Sequence, residues 1–206
     1  MHWKTDFDWY KPKDIFKGED YCVMKSPVKP MDVRQRVLGD CYFLSSLMAL
    51  ADYPHRLERI FRTKEVQPSG CYCVALCVMG VWEEIIIDDS FPCSKVSKKP
   101  CFSDSLKKEL WVLLIEKAFA KISGGYSNLF GGLDSEAMYM LTGAPTAMFR
   151  FDEGSADSIY DIMKDGFNNM FLMAAASGSK EDIMEKTNAK LKGKLNVKIL
   201  DLKISL

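Results

Sequence analysis

The chain has 206 residues, of which 48% are hydrophobic and 27% are charged, a composition typical of a soluble globular protein long enough to bury a core. Its 28 basic and 28 acidic residues leave a net charge of zero, which argues against a general nucleic-acid or membrane-surface binder, because such proteins carry a basic excess. No apolar run approaches the roughly 20 residues that span a bilayer, and the polar first residues lack a signal peptide's apolar core.

The seven cysteines are odd in number and irregularly spaced. This pattern is typical of buried or reactive thiols in a reducing compartment and not of a disulfide framework. We therefore expect an intracellular, cytoplasmic protein.

The first half of the chain predicts two helices and a hairpin after a turn-rich start at residues 1–34. A helix is predicted from Cys41 to Tyr53, because its apolar residues recur at spacings of three and four. A second short helix is predicted for residues 55–61. Two apolar strands at residues 71–78 and 81–87 surround a short glycine turn, which predicts an antiparallel β-hairpin.

A loop is predicted for residues 91–104. An amphipathic helix at residues 106–122, with two glycines as its stop signal, is the clearest in the sequence. A short helix is predicted at residues 135–141. The glycine at position 143, followed closely by Pro145, then predicts a boundary between two subdomains.

The last third of the chain predicts a mixture of helix and strand. A helix is expected at residues 155–164 and a short apolar strand at residues 170–176. Residues 180–192 are charged and predict a solvated stretch, and residues 195–206 alternate well enough for one more strand.

The residues around Cys41 are the most informative about possible chemistry. A polar loop delivers this cysteine to the first turn of an apolar helix, where partial positive charge and free backbone N–H groups favour a thiolate. Gln35 lies six positions upstream, and its amide can donate near the sulfur. Together with the backbone N–H of Cys41 it would form an oxyanion hole, and Gly39 permits a sharp turn. From the residues alone, a structural cysteine remains the alternative interpretation.

The segment Gln35-Arg36-Val37-Leu38-Gly39-Asp40-Cys41-Tyr42-Phe43-Leu44 resembles the catalytic signature of the calpain family of cysteine proteases. The likeness is strong over residues 9–145. Further segments similar to the family are Trp9–Ile15, Val81–Pro92, Glu109–Lys121, Gly131-Gly132 and Thr142-Gly143.

This resemblance implies an α+β, papain-like cysteine protease fold in two subdomains. Residues 1–143 would form the nucleophile-bearing subdomain, and residues 144–206 would form an incomplete or divergent second one. It also implies a calcium-dependent intracellular endopeptidase that acts on proteins or peptides, with Cys41 as nucleophile and Gln35 in the oxyanion hole.

The resemblance further implies a Ca²⁺ site in the first subdomain. Asp32 lies three residues before the oxyanion glutamine and Glu109 two residues before a helix tryptophan, where the family has its calcium carboxylates. Backbone carbonyls near Lys25 and Pro27 would complete the shell of hard oxygen ligands that Ca²⁺ prefers. The alternative is that both carboxylates are simply solvated.

The chain departs from the family at the general base. Of its two histidines, His2 is at the N-terminus and His55 follows the predicted cysteine helix, at the far end from the sulfur. In the comparable stretch at residues 192–197, Lys194 stands where the family has histidine, and no Asn-Pro-Trp segment occurs in the sequence. We therefore expect a truncated or degenerate protease, inactive as an isolated chain, unless additional domains or another chain supply the missing catalytic half.

Three other classes of function remain open. The chain could be a pseudoprotease that keeps the cleft without turnover, or a calcium-responsive protein-binding module resting on Asp32 and Glu109. A zinc or redox thiol site at Cys71, Cys73 and Cys77 is the third. Alternate positions on a strand share one face, which fits cysteines in a sheet better than a tetrahedral zinc site with four ligands.

Overall fold

Both helices and short antiparallel strands occur along the chain, which the computed structural model describes over residues 7–36, 38–150, 155–176 and 201–205. The chain divides into two units, Met1–Gly143 and Ala144–Leu206. The first unit contains β1 (Phe7–Tyr10), α1 (Pro12–Ile15), β2 (Val33–Gln35), α2 (Cys41–Ala51), α3 (Pro54–Ile60), β3 (Cys71–Val78), β4 (Val81–Asp88), β5 (Phe91–Ser94), β6 (Ser103–Ser105), α4 (Trp111–Ile122) and α5 (Asp134–Thr142). The second contains β7 (Thr146–Arg150), α6 (Ala156–Asn168), β8 (Leu172–Ala176) and β9 (Asp201–Ser205). Within the described part of the chain, every helix is too short or too polar to cross a membrane.

The core of the first unit lies between α2 and α4. Phe43 of α2 stacks on Phe119 of α4 with ring centroids 4.2 Å apart and planes 8° from parallel. Every residue of α4 from Trp111 to Glu116 is buried, so this helix is enclosed by the rest of the unit. The predicted cysteine helix is confirmed from its first residue. It ends at Ala51 because Tyr53 precedes a proline, which disfavours helical backbone there.

Helix α4 begins five residues later than the sequence predicts, because the preceding residues pair elsewhere. Strand β6 pairs with β2, and the N–H of Leu106 donates to the carbonyl of Asp32 at 2.9 Å. Glu109 forms a parallel bridge with Cys22. The prediction of a loop throughout residues 91–104 is also wrong, since β5 pairs there with β1.

The predicted hairpin is confirmed as β3 and β4, which pair in register from Cys71 opposite Asp88 to Val78 opposite Val81. Its two turn residues have positive φ, 49° at Met79 and 87° at Gly80, as the right-handed twist of two-residue hairpins requires. The short helices predicted for residues 55–61 and 135–141 are present as α3 and α5.

The second unit is a three-stranded antiparallel sheet in the order β7-β9-β8, with α6 packed on it. Its apolar centre is Ile159 of α6, surrounded by Phe149, Ile162, Phe171 and Met173. The helix and the strand predicted at residues 155–164 and 170–176 are confirmed as α6 and β8. Of the last predicted strand, residues 201–205 form β9; the charged stretch at 180–192 and residues 195–200 lie outside the described residues.

The burial pattern of α2 gives a direct stability test with a matched control on the next residue. Leu47 is 0% exposed and Met48 is 36% exposed. We expect Leu47→Ala to lower the free energy of unfolding by about 2–5 kcal/mol, because it removes buried methyl groups and leaves a cavity. Met48→Ala should cost less than about 1 kcal/mol. Urea denaturation of both variants measures the difference, and equal losses would contradict this packing.

Candidate active site

Cys41 is the first residue of α2, and its side chain is exposed. The first helical hydrogen bonds run from the N–H groups of Phe43 and Leu44 to the carbonyl of Asp40, at 2.9 and 3.0 Å. Because the helix begins at this point, the N–H of Cys41 has no acceptor within the helix. An accessible thiol therefore lies beside a free backbone donor at the positive end of the helix dipole.

Gln35 ends β2 and lies at the other end of the loop that leads to Cys41. Its side-chain Nε2 donates to the carbonyl of Leu38 at 2.8 Å, so the amide is turned toward this loop. The structure thus gathers Gln35 and Cys41 around one short loop. The role of Gln35 in an oxyanion hole stays a prediction.

The segment from Phe130 to Gly132 packs against the start of α2. The N–H of Gly131 donates to the carbonyl of Gly39 at 2.9 Å. A Cβ on Gly39 would lie 2.7 Å from the Phe130 ring, and one on Gly132 would lie 2.5 Å from the Tyr42 ring. Gly39 is not among the glycines with positive φ, so glycine is required here for space, and the predicted need for a sharp turn is wrong.

Two buried carboxyl groups lie directly beneath the cysteine loop. Asp40, the residue before Cys41, is 0% exposed, and Glu116 of α4 is 1% exposed. Among the described residues, no donor has good hydrogen-bond geometry to either carboxylate oxygen of Asp40 or to Oε1 of Glu116, although the Gln35 side chain lies close enough to lower the pKa of Asp40 in part. Burial without a donor is costly for a carboxylate, so the arrangement is stable when one of the two groups is protonated and donates to the other.

The pKa values of both groups follow from this burial. Burial raises the pKa of Asp40 from 3.8 to about 6. Burial, and next the charge of Asp40, raises the pKa of Glu116 well above its ordinary value. Glu116 is therefore the group that keeps its proton to the higher pH.

A general base for Cys41 is not supplied by the one histidine among the described residues. His55 is exposed and lies in the first turn of α3, after α2 has ended. Helix α2 has 11 residues, which span about 16 Å, so His55 and Cys41 are at opposite ends of this helix. Both His2 and Lys194 lie outside the described residues.

The two predicted calcium ligands lie near one lysine, Lys107. Oδ2 of buried Asp32 accepts the Lys107 ammonium at 2.8 Å and the N–H of Lys29 at 3.0 Å. Oε1 of Glu109 accepts the N–H of Lys25 at 2.7 Å. The structure therefore brings Asp32 and Glu109 into one neighbourhood, linked through the segment that begins α4.

These contacts do not fit a calcium shell as they stand. Oε2 of Glu109 accepts from the Ser105 hydroxyl at 3.0 Å and from the Trp111 indole at 3.1 Å. One oxygen of Asp32 and both oxygens of Glu109 thus already accept hydrogen bonds, one of them from an ammonium, and these donors would compete with Ca²⁺, which takes six to eight oxygen ligands. Across the described ranges, no group of three or more His, Cys, Asp or Glu side chains could hold a metal ion.

The cysteines of β3 do not form a common site. Cys71 is exposed, Cys73 is half-buried and Cys77 is buried. Burial raises the pKa of the Cys73 thiol. This graded burial along a strand agrees with sheet cysteines and disfavours the zinc alternative.

The sequence alone does not predict a role for Asp40, Glu116 or Lys107. The signal for Glu116 was an acidic residue that interrupts the apolar run of a helix, which is unusual unless the carboxyl is buried and partnered. No comparable local signal exists for Lys107, because its partner is 75 residues away along the chain.

Comparison with known proteins agrees with this geometry. A sequence model described as the calpain family cysteine protease matches residues 2–203. The chain is 35% identical over 199 residues to the calpain-type cysteine protease DEK1 of Arabidopsis thaliana, covering 90% of this chain and 9% of that protein. It is 29% identical over 180 residues to human calpain-14, covering 86% of this chain and 26% of the relative. The chain thus spans about a quarter or less of these relatives.

The Asp40–Glu116 pair predicts an unusual pH dependence of stability. Both groups keep a proton in the folded chain at pH values where the unfolded chain has released it. Stability from this pair is therefore full below about pH 4 and is lost as pH rises through about 6 and beyond. In Glu116→Gln the amide can donate to ionised Asp40. We therefore expect the free energy of unfolding of the variant to increase relative to that of the wild type as pH rises, by on the order of 2 kcal/mol.

Thermal unfolding at a series of pH values between acid and neutral measures this gap. Glu83→Gln is the control, because it makes the same chemical change at an exposed position on β4, away from the buried pair. A gap between Glu116→Gln and the wild type that stays constant with pH would show that the buried pair holds no extra proton.

Proposed function

Because the chain belongs to the calpain family of cysteine proteases, we propose that it is the nucleophile-bearing part of an endopeptidase catalytic domain, with Cys41 as the nucleophile. The observation that carries this proposal is an exposed cysteine at the first residue of a helix whose other face is buried. In the proposed reaction the thiolate sulfur bonds to the peptide carbonyl carbon, and the carbonyl electron pair moves to oxygen. Protein or peptide chains are the substrates.

Gln35 is proposed to stabilise the oxygen that becomes negative. The free N–H of Cys41 would be one donor and the Gln35 amide the other. Support comes from the contact of Nε2 with the carbonyl of Leu38, which holds the amide against the loop that precedes Cys41. A small rotation of the side chain would free the amide for a substrate oxygen.

The second half of the catalytic machinery is proposed to come from outside the unit that bears Cys41. The division of the chain at Gly143 supports a nucleophile-bearing subdomain at residues 1–143 and an incomplete or divergent one at residues 144–206. The leaving amine needs a proton, which a histidine supplies in this chemistry, and His55 lies at the wrong end of α2. Additional domains or a companion chain would supply the histidine and asparagine.

A pseudoprotease is the second candidate function. The position of His55 favours it, because without a general acid the cleft could bind a peptide without cutting it. The retained pairing of Gln35 with the cysteine loop favours the protease. Calcium dependence, implied by the family, remains a prediction that the contacts of Asp32 and Glu109 do not favour.

We expect the purified chain to show negligible endopeptidase activity while Cys41 is still alkylated rapidly. Proton transfer to the leaving group is typically worth 10²–10⁴-fold in rate, and among the described residues none is placed to provide it. Cys41 should nevertheless react faster than Cys71, because both thiols are exposed but only Cys41 lies at a helix N-terminus. Iodoacetamide labelling mapped by mass spectrometry, beside a fluorogenic peptide assay, measures both.

The matched exposure of Cys71 makes it the internal control, and buried Cys77 gives the slow limit. Equal labelling of Cys41 and Cys71 would remove the argument for a nucleophile. Robust peptide cleavage that disappears in Cys41→Ala would show that the chain contains its own general base, and His55→Ala and Lys194→Ala would then identify it.

A further inference from the structure

The carboxylate of Asp32 is balanced by a lysine from the segment that precedes α4. The Asp32 side chain is 5% exposed, and the Lys107 ammonium lies 2.8 Å from its Oδ2. The same oxygen accepts the N–H of Lys29. Because an ionised carboxylate is costly to bury without a counter-charge, Lys107 is a structural requirement for this position of Asp32.

The carboxylate of Glu109, by contrast, accepts hydrogen bonds from neutral donors among the described residues. The backbone N–H of Lys25, the Ser105 hydroxyl and the Trp111 indole satisfy its two oxygens, but none of them brings a positive charge. The Lys107 ammonium contacts Asp32 directly, and the backbone N–H of Glu109 donates to the Lys107 carbonyl at 2.9 Å. The hydrogen bond to Asp32 raises the pKa of Lys107, and the charges of Asp32 and Glu109 add to this effect. One lysine therefore lies next to two buried acids that are 77 residues apart in sequence.

We propose that the Lys107 ammonium is the resident cation of the Asp32–Glu109 pair, so that this chain joins β2 to the start of α4 without a divalent ion. A calcium ion would have to compete with three existing hydrogen bonds to the carboxylate of Glu109, two of them on Oε2. It would also have to lie beside the Lys107 ammonium or displace it from Asp32, and repulsion between two cations is strong at short range.

The ion pair of Lys107 with Asp32 adds to backbone contacts that hold three separate segments together. The Leu106 N–H donates to the Asp32 carbonyl, and the Cys22 N–H donates to the Lys108 carbonyl. Lys107 lies between these two backbone contacts in sequence, and its side chain adds the charge that they lack. This inference does not rest on the proposed protease activity, because it concerns folding and ion binding alone.

Thermal unfolding of the full 206-residue chain in EDTA and in millimolar CaCl₂ tests the proposal. We expect the wild type to unfold at the same temperature in both. Lys107→Ala should lower the unfolding temperature in EDTA, whereas Lys107→Arg should retain it, since the guanidinium keeps the charge. Lys108→Ala is the matched control: it removes only the exposed pair with Glu19, and such pairs contribute little.

Calorimetric titration of the wild type with CaCl₂ should show no heat of binding at this site. A calcium-dependent rise in the unfolding temperature of the wild type that disappears in Asp32→Asn would overturn the proposal. An unfolding temperature of Lys107→Ala equal to that of Lys108→Ala would overturn it as well. If Lys107→Ala fails to fold, the calcium response of the wild type, with and without Asp32→Asn, still decides.

Discussion

The contact between Asp40 and Glu116 ties the start of α2 to the middle of the core, and the position of Cys41 depends on it. Both carboxyl groups are fully enclosed, so they are stable there only with a proton between them. The carbonyl of Asp40 also accepts the first N–H groups of α2. A shift of Asp40 would therefore move the helix start, and with it the exposed thiol and the loop that Gln35 contacts.

Helix α4 is fixed near its beginning by acidic residues that are neutralised in two different ways. Glu109, just before the helix, accepts three hydrogen bonds from neutral donors, and its charge contributes to raising the pKa of Lys107. For Glu116, in its second turn, burial and then the charge of Asp40 raise the pKa, which favours the protonated form. The environment of Glu109 combines near neighbours in sequence with the N–H of Lys25, which is 84 residues away, whereas protonation of Glu116 requires only burial.

Local pattern was sufficient for the helices and the hairpin, because their apolar spacing and turn residues are set within one element. The start of α4 was not predictable in this way, because residues before it form other contacts. The N–H of Leu106 donates to the carbonyl of Asp32 and not to a helical acceptor. Cys41 and Gln35 could be singled out because their motif is contiguous. The environment of Glu116 could not, because an acidic residue is solvated by default and only the packed core shows otherwise.

The near-complete enclosure of α4 has a consequence for how the first unit opens to solvent. Its residues from Trp111 to Glu116 are all buried, and the stack of Phe43 on Phe119 covers its second half. Local fraying cannot expose these backbone amides without breaking the packing of α2 as well. Their exchange with deuterium should therefore proceed only through global unfolding, and the slowest amides of α4 would report the total free energy that keeps the cysteine loop folded.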